Sequence, residues 1–198
     1  ASPASKPVQW SYHRLFATAA RAAAEVLPPA PPHQADQPPP VAAVLVEEGL
    51  ELPVAYLACL LAGYALAPLT ASDPASRLAS ACEQCAPLVV VLPSSHSGHV
   101  AAAKMAVAWP AAVTVTLEAV MAEDSAAPIP IAHARVHPTG GGGRGSGSGW
   151  AAATSTTGTI PAAAVLRTSP DPATASHVVF TSGSTGRPKG CVATHAAT

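Results

Sequence analysis

With 198 residues the chain has the length of one or two domains, and a net charge of −1 excludes the strongly basic surface that nucleic acid or an anionic membrane would attract. Apolar residues make up 49% of it, but much of that is alanine and aromatics are only 4%, so the core must rest on Leu, Val and Ala. Charged residues are scarce, 11% against roughly 25% in an average globular protein.

The first residues, Ala1 to Val8, hold no apolar core of the signal-peptide kind. The chain opens on alanine rather than methionine, so its start is expected to be a processed end or a fragment boundary. Ser11 is placed to cap a helix from Tyr12 to about Leu27, whose apolar positions Leu15, Phe16, Ala19, Ala23, Val26 and Leu27 recur at helical spacing. Pro28-Pro29-Ala30-Pro31-Pro32 stops it, and His33 to Pro40 reads as a polar, proline-rich insert.

Val41 to Val46 then reads as a buried strand, Leu52 to Ala62 as a helix ended by Gly63, and Ala65 to Leu69 as extended chain. Asp73-Pro74 is a helix start, with Asp73 as the cap and Pro74 at the first helical position, and that helix runs to about Cys85. Leu88 to Leu92 is a strand, His99 to Trp109 a helix and Val113 to Leu117 a strand. Alternation of this kind, with near-continuous apolar strands, predicts an α/β fold with a mostly parallel sheet flanked by helices. The uncharged run from Leu52 to Ser72 has the length of a membrane span. Pro53, Gly63 and Pro68 interrupt it, and a buried helix followed by a buried strand explains the same residues.

From about Ala122 to Ser176 the periodic signal fades into a Gly/Ser-rich stretch read as a flexible insertion. Gly140, Gly142 and Gly145 match G-x-G-x-x-G, but no strand precedes them and no patterned helix follows. The expected organisation is one truncated domain over 1–198, with ordered blocks at about 8–27, 41–121 and 177–198 and inserts at about 28–40 and 122–176.

The four cysteines, Cys59, Cys82, Cys85 and Cys191, give no disulfide framework. Cys82 and Cys85 form a C-x-x-C in a helical pattern without a second ligand pair, which reads as two small residues on a helix face rather than a metal or redox site. His96 and His99 lack an evident third ligand, so no metal site is expected. The expected location is the cytoplasm.

Chemistry concentrates near the end of the chain. His177 to Thr181 is strand-like, and the loop after it carries the hydroxyls of Thr181, Ser182, Ser184 and Thr185. Gly183, Gly186 and Gly190 let the backbone turn tightly and bring N–H groups close to an anion. Lys189 adds a compact cation and Pro188 limits the loop's freedom. Such a set suits a polyphosphate held by charge-assisted hydrogen bonds. It is not a Walker loop, because Gly190 rather than a hydroxyl residue follows the lysine.

The run from Thr181 to Gly190 resembles the phosphate-binding signature of the adenylate-forming (AMP-binding) superfamily, which includes acyl-CoA synthetases, luciferases and the adenylation domains of nonribosomal peptide synthetases. Two upstream segments agree with it. Trp10 to Leu15 resembles the motif L-[TS]-Y-x-E-L, with Arg14 where glutamate is usual. Leu61 to Thr70 resembles L-K-A-G-x-A-Y-x-P-[LI]-D, with Leu61 and Thr70 departing from lysine and aspartate. Asp73 to Leu78 resembles the D-P-x-x-P-x-x-R-[LI] region of domains that load carrier proteins, which favours activation of an amino or related acid. An acyl-CoA synthetase fragment and a non-catalytic nucleotide-binding remnant are the alternatives.

The resemblance implies an enzyme that uses ATP and Mg²⁺ to activate a carboxylic acid as acyl-AMP, with release of pyrophosphate. The acyl group then passes to the thiol of phosphopantetheine on a carrier protein, or of CoA. Thr181, Ser182, Gly183, Ser184, Thr185, Gly186, Lys189 and Gly190 are the residues it implies for ATP. His195 follows the loop, where the family often has a histidine, and a structural role is expected of it. The family's adenine segment, ribose-binding aspartate, hinge and C-terminal catalytic lysine lie beyond this loop, so the chain alone is expected to be inactive.

Overall fold

Residues 8–31, 38–46, 48–94, 96–122, 172–182 and 187–197 are described by the computed structural model. Ser11 opens helix α1 (Tyr12–Arg21), its hydroxyl accepting the Arg14 N–H at 3.2 Å and so satisfying one orphan donor of the first turn. The helix continues to Val26, but its last turn (Ala22–Val26) widens into a π-helix, with the Leu27 N–H donating to the Ala22 carbonyl at 3.0 Å.

The expected alternation follows: strand β1 (Val41–Val44), helix α2 (Glu51–Leu61), strand β2 (Ala65–Pro68), helix α3 (Ala75–Cys85), strand β3 (Val89–Leu92), helix α4 (His96–Ala108) and strand β4 (Val113–Thr116). A short helix α5 (Glu118–Ala122) and strands β5 (Ala175–Ser182) and β6 (Pro188–Thr194) complete the elements, before a 3-10 turn at His195–Ala197. The six strands form one sheet in the order β4-β3-β1-β2-β5-β6. Every neighbouring pair is parallel except β5 and β6, which are antiparallel.

Both faces of this sheet are covered, which is why its central strands read as continuous apolar runs. Ala42, Val44, Val89, Val91 and Leu66 pack with Ala19 of α1, with Val54, Ala58 and Cys59 of α2, and with Val120 of α5. The alternate residues Ala43, Leu45, Val90 and Leu92 pack with Leu78, Ala81 and Cys82 of α3 and with Ala101 and Met105 of α4. Leu45, Leu78, Leu92, Met105 and Leu117 are the largest side chains fully removed from water, as the shortage of aromatic residues requires.

The proline-rich segment after α1 is tied down on either side of Gly63, which ends α2 at φ 90°. Ala30 N–H donates to the Ala62 carbonyl at 3.2 Å, and the Tyr64 hydroxyl donates to the Pro28 carbonyl at 2.9 Å. The uncharged run from Leu52 is thus a helix and a strand split at this turn. Among the described residues no helix is long and apolar enough to cross a membrane.

Some expectations are corrected. Asp73 does not cap α3. Pro74 is the extended N-cap residue at ψ 147°, its carbonyl accepts the N–H groups of Arg77 and Leu78, and the Asp73 carboxylate instead pairs with Arg77 at 3.3 Å. Helix α4 begins at His96, before the expected His99. Gly98 lies inside its first turn, where the backbone approaches the Pro93 carbonyl so closely that a β-carbon would clash with that oxygen. Helix α5 and strand β6 carry no periodic signal of their own. The Gly-rich stretch, including Gly140, Gly142 and Gly145, lies outside the described residues.

Candidate phosphate-binding loop

Strand β5 joins the sheet beside β2, at the pair Leu66 and His177. On its α3 side Val178 is buried and Phe180 half-buried, packed with Val41, Ala65 and Ala67. Strand β6 returns antiparallel in the register Phe180–Gly190, Thr181–Lys189 and Ser182–Pro188. The sequence between Ser182 and Pro188 therefore connects a hairpin at the sheet edge. Pro188 opens the edge strand β6, where its missing N–H deprives no further strand of a partner.

This register places the candidate residues on the two legs of one hairpin. Thr181 and Lys189 stand opposite each other, and the Thr181 hydroxyl donates to the Lys189 carbonyl at 3.4 Å. Both side chains are exposed, and among the described residues Lys189 has no carboxylate partner. Ser182 ends β5. Gly183, Ser184, Thr185 and Gly186 lie outside the described residues. Gly190 answers a packing need rather than an unusual φ: a β-carbon there would meet Phe180 Cε1 and Val178 Cγ1, each at 3.2 Å.

Helix α3 reaches this hairpin from one side. Gln84 Nε2 donates to the Pro188 carbonyl at 2.8 Å, and its Oε1 accepts the Gly190 N–H at 3.3 Å. Ser76, Arg77, Ser80 and Glu83 of α3, with Arg187 and Pro188, line a cavity of about 500 Å³ there. Sequence reading missed Gln84 entirely. It stands about a hundred residues from the loop on a polar helix face, and only the tertiary fold brings the two together.

Other candidates fall away from the loop. His195 lies at the opposite end of β6, about 20 Å along the strand at the usual rise per residue. Its N–H donates to the Thr174 carbonyl at 3.0 Å, closing the far end of the hairpin. All four cysteines are free. Burial raises the Cys82 thiol to about 11 and Cys85 to about 12, so neither is a ready thiolate. Among the described residues no group of three or more His, Cys, Asp or Glu side chains could hold a metal ion.

The model of the AMP-binding enzyme family matches residues 3–198. No curated protein matches the chain. Among solved structures, ATP-bound MatB from Rhodopseudomonas palustris is similar at 22% identity and TM-score 0.52, over 91% of this chain and 29% of that one. MbtA from Mycobacterium smegmatis in its apo form gives 19% identity and TM-score 0.54, over 92% of this chain and 28% of that one. A fatty acyl-adenylate ligase from L. pneumophila, in complex with acyl adenylate and pyrophosphate, gives 19% identity and TM-score 0.51, over 92% and 24%. The chain thus spans less than a third of the length of these structures.

Proposed function

Since the chain belongs to the AMP-binding enzyme family, we propose that it supplies the phosphate-holding part of an ATP-dependent enzyme that converts a carboxylic acid to an acyl-adenylate. In that reaction a carboxylate oxygen attacks the α-phosphorus of ATP, the bond to the bridging oxygen breaks, and pyrophosphate leaves with the electron pair. The observation that carries the reading is the hairpin register, which sets Lys189 opposite Thr181 across a connection rich in hydroxyls and glycines. Lys189 and the hydroxyls of Thr181, Ser182, Ser184 and Thr185 would bind the β- and γ-phosphates, orienting the leaving group and spreading its charge. The described residues offer no acidic cage for a divalent cation. Mg²⁺ would arrive on the phosphate oxygens of ATP, and no step here depends on it.

We propose an amino or related acid as substrate and a carrier-protein phosphopantetheine thiol as acceptor, with CoA as the alternative. The D-P-x-x-R pattern at Asp73 to Arg77 supports the first pairing. Phosphate contacts alone cannot align a carboxylate with an α-phosphorus, so the 198-residue chain by itself is proposed not to catalyse ATP–pyrophosphate exchange. The test is calorimetric titration of the chain with pyrophosphate and with ATP. Removing the one cation of the set in Lys189→Ala should weaken binding at least about tenfold, the loss expected for a charge-assisted hydrogen bond. Equal binding by the variant and the parent chain would overturn the reading.

A further inference from the structure

The outer edge of β6 exposes backbone groups from alternate residues, because in an antiparallel strand the N–H and C=O of one residue point to the same side. Lys189 pairs inward with Thr181, so Pro188 and Gly190 point outward. Pro188 has no N–H. The outward groups flanking Lys189 are therefore one acceptor, the Pro188 carbonyl, and one donor, the Gly190 N–H. Gln84 engages both, Nε2 donating to Pro188 at 2.8 Å and Oε1 accepting from Gly190 at 3.3 Å. Its Nε2 also donates to the Ser80 carbonyl at 3.0 Å, one turn back in α3, which holds the carboxamide in place on its own helix. A primary amide thus completes the edge as a peptide group of another strand would.

We propose that Gln84 is a positioning residue for the phosphate loop: by holding the residues on both sides of Lys189 it fixes where the loop ends and where its cation projects. The proposal rests on the reading of Thr181 to Gly190 as a polyphosphate cradle. The close approach of Phe180 and Val178 to Gly190, which leaves little room for a β-carbon, supports it, since a strand paired with β5 and clamped at its edge has little freedom to shift. Helix α3 is itself anchored by Leu78, Ala81 and Cys82 in the core, so the clamp refers the loop to the rigid part of the molecule.

The test compares the chain with Gln84→Ala and Gln84→Glu by pyrophosphate titration, amide hydrogen exchange at Gly190 and melting temperature. Gln84→Ala should bind pyrophosphate about tenfold more weakly and exchange the Gly190 amide faster, with little change in melting temperature because the side chain is exposed. Gln84→Glu should behave like the alanine variant at pH 7, where a carboxylate faces the Pro188 carbonyl. It should recover parent-like affinity, measured against the parent at the same pH, below about pH 4, where a protonated carboxyl again offers one donor and one acceptor. Unchanged affinity in Gln84→Ala overturns the proposal, as does weakened affinity that Gln84→Glu fails to recover in acid. A parent chain that binds no pyrophosphate overturns the phosphate reading itself and the role built on it, and the Gly190 exchange then shows separately whether the clamp exists.

Discussion

Ala86 carries the least favourable backbone among the described residues. It ends α3 in the left-handed conformation, at φ 42° and ψ 60°, with its N–H donating to the Cys82 carbonyl at 2.7 Å. That geometry closes the helix as a C-terminal cap should, but it is one that glycine adopts freely and alanine adopts at a cost of about 1 kcal/mol. The side chain is exposed, so its removal forfeits no core packing. Ala86→Gly should therefore stabilise the protein by about 0.5–1 kcal/mol in urea unfolding, the relief of left-handed strain exceeding the added freedom of the unfolded chain. A loss of stability would mean that the cap is not strained. The contrast with Gly190 is instructive, since there the glycine answers contacts with Phe180 and Val178 rather than dihedral strain.

At the scale of elements, glycine also decides how α4 begins. Pro93 and the first turn of α4 lie too close for any β-carbon at Gly98, which would clash with the Pro93 carbonyl oxygen. Ser94 of this corner donates its N–H to the Glu51 carboxylate at 3.1 Å, tying the corner to α2. Gly98→Ala must displace either the helix or the strand end and should cost about 3 kcal/mol or more, read as a drop in the urea midpoint. Helix propensity alone would favour alanine at this helical position, so a loss of stability isolates the close approach of Pro93. The sequence predicts this helix from His99, and only the approach of Pro93 shows Gly98 to be interior to it. Strands β1 to β3 were legible as short continuous apolar runs, because both faces of the sheet are covered, and α1 was legible from its helical spacing of apolar residues. Strand β6 was not, since Pro188, Lys189 and Gly190 are poor strand formers held there by pairing with β5. Thr181 and Lys189 could be named from the motif, whereas Gln84 could not, because no local pattern marks a hydrogen bond across about a hundred residues.

For the molecule as a whole, the alanine-rich core carries its ionisable groups in an unusual way: among the described residues, the groups that burial shifts are thiols and phenols. Burial raises Cys59 to about 12, Cys82 to about 11 and Cys85 to about 12, above the ordinary thiol value of 9.0. Burial also raises Tyr56 and Tyr64. Below pH 9 these thiols are protonated whether the chain is folded or not, and their contribution to stability is fully present. Above it the unfolded chain loses protons that the folded core retains, so the unfolded state gains free energy of ionisation and stability falls as pH rises toward 11 to 12. One fully buried thiol such as Cys59 contributes at most about 1.4 kcal/mol per pH unit to that slope. A typical domain has only about 5–15 kcal/mol in total, so the loss should be visible as a marked fall in stability within this window. Urea unfolding from pH 7 to 11 should show a flat stability to about pH 9 and then a steep decline. Cys59→Ala should be less stable than the parent at pH 7, having lost packed sulfur from the α2 face of the sheet. Its decline above pH 9 should nonetheless be shallower, and the two curves should converge as pH rises. Parallel curves would show that the Cys59 thiol ionises as readily in the folded protein as in the unfolded chain, and that the core around it admits water.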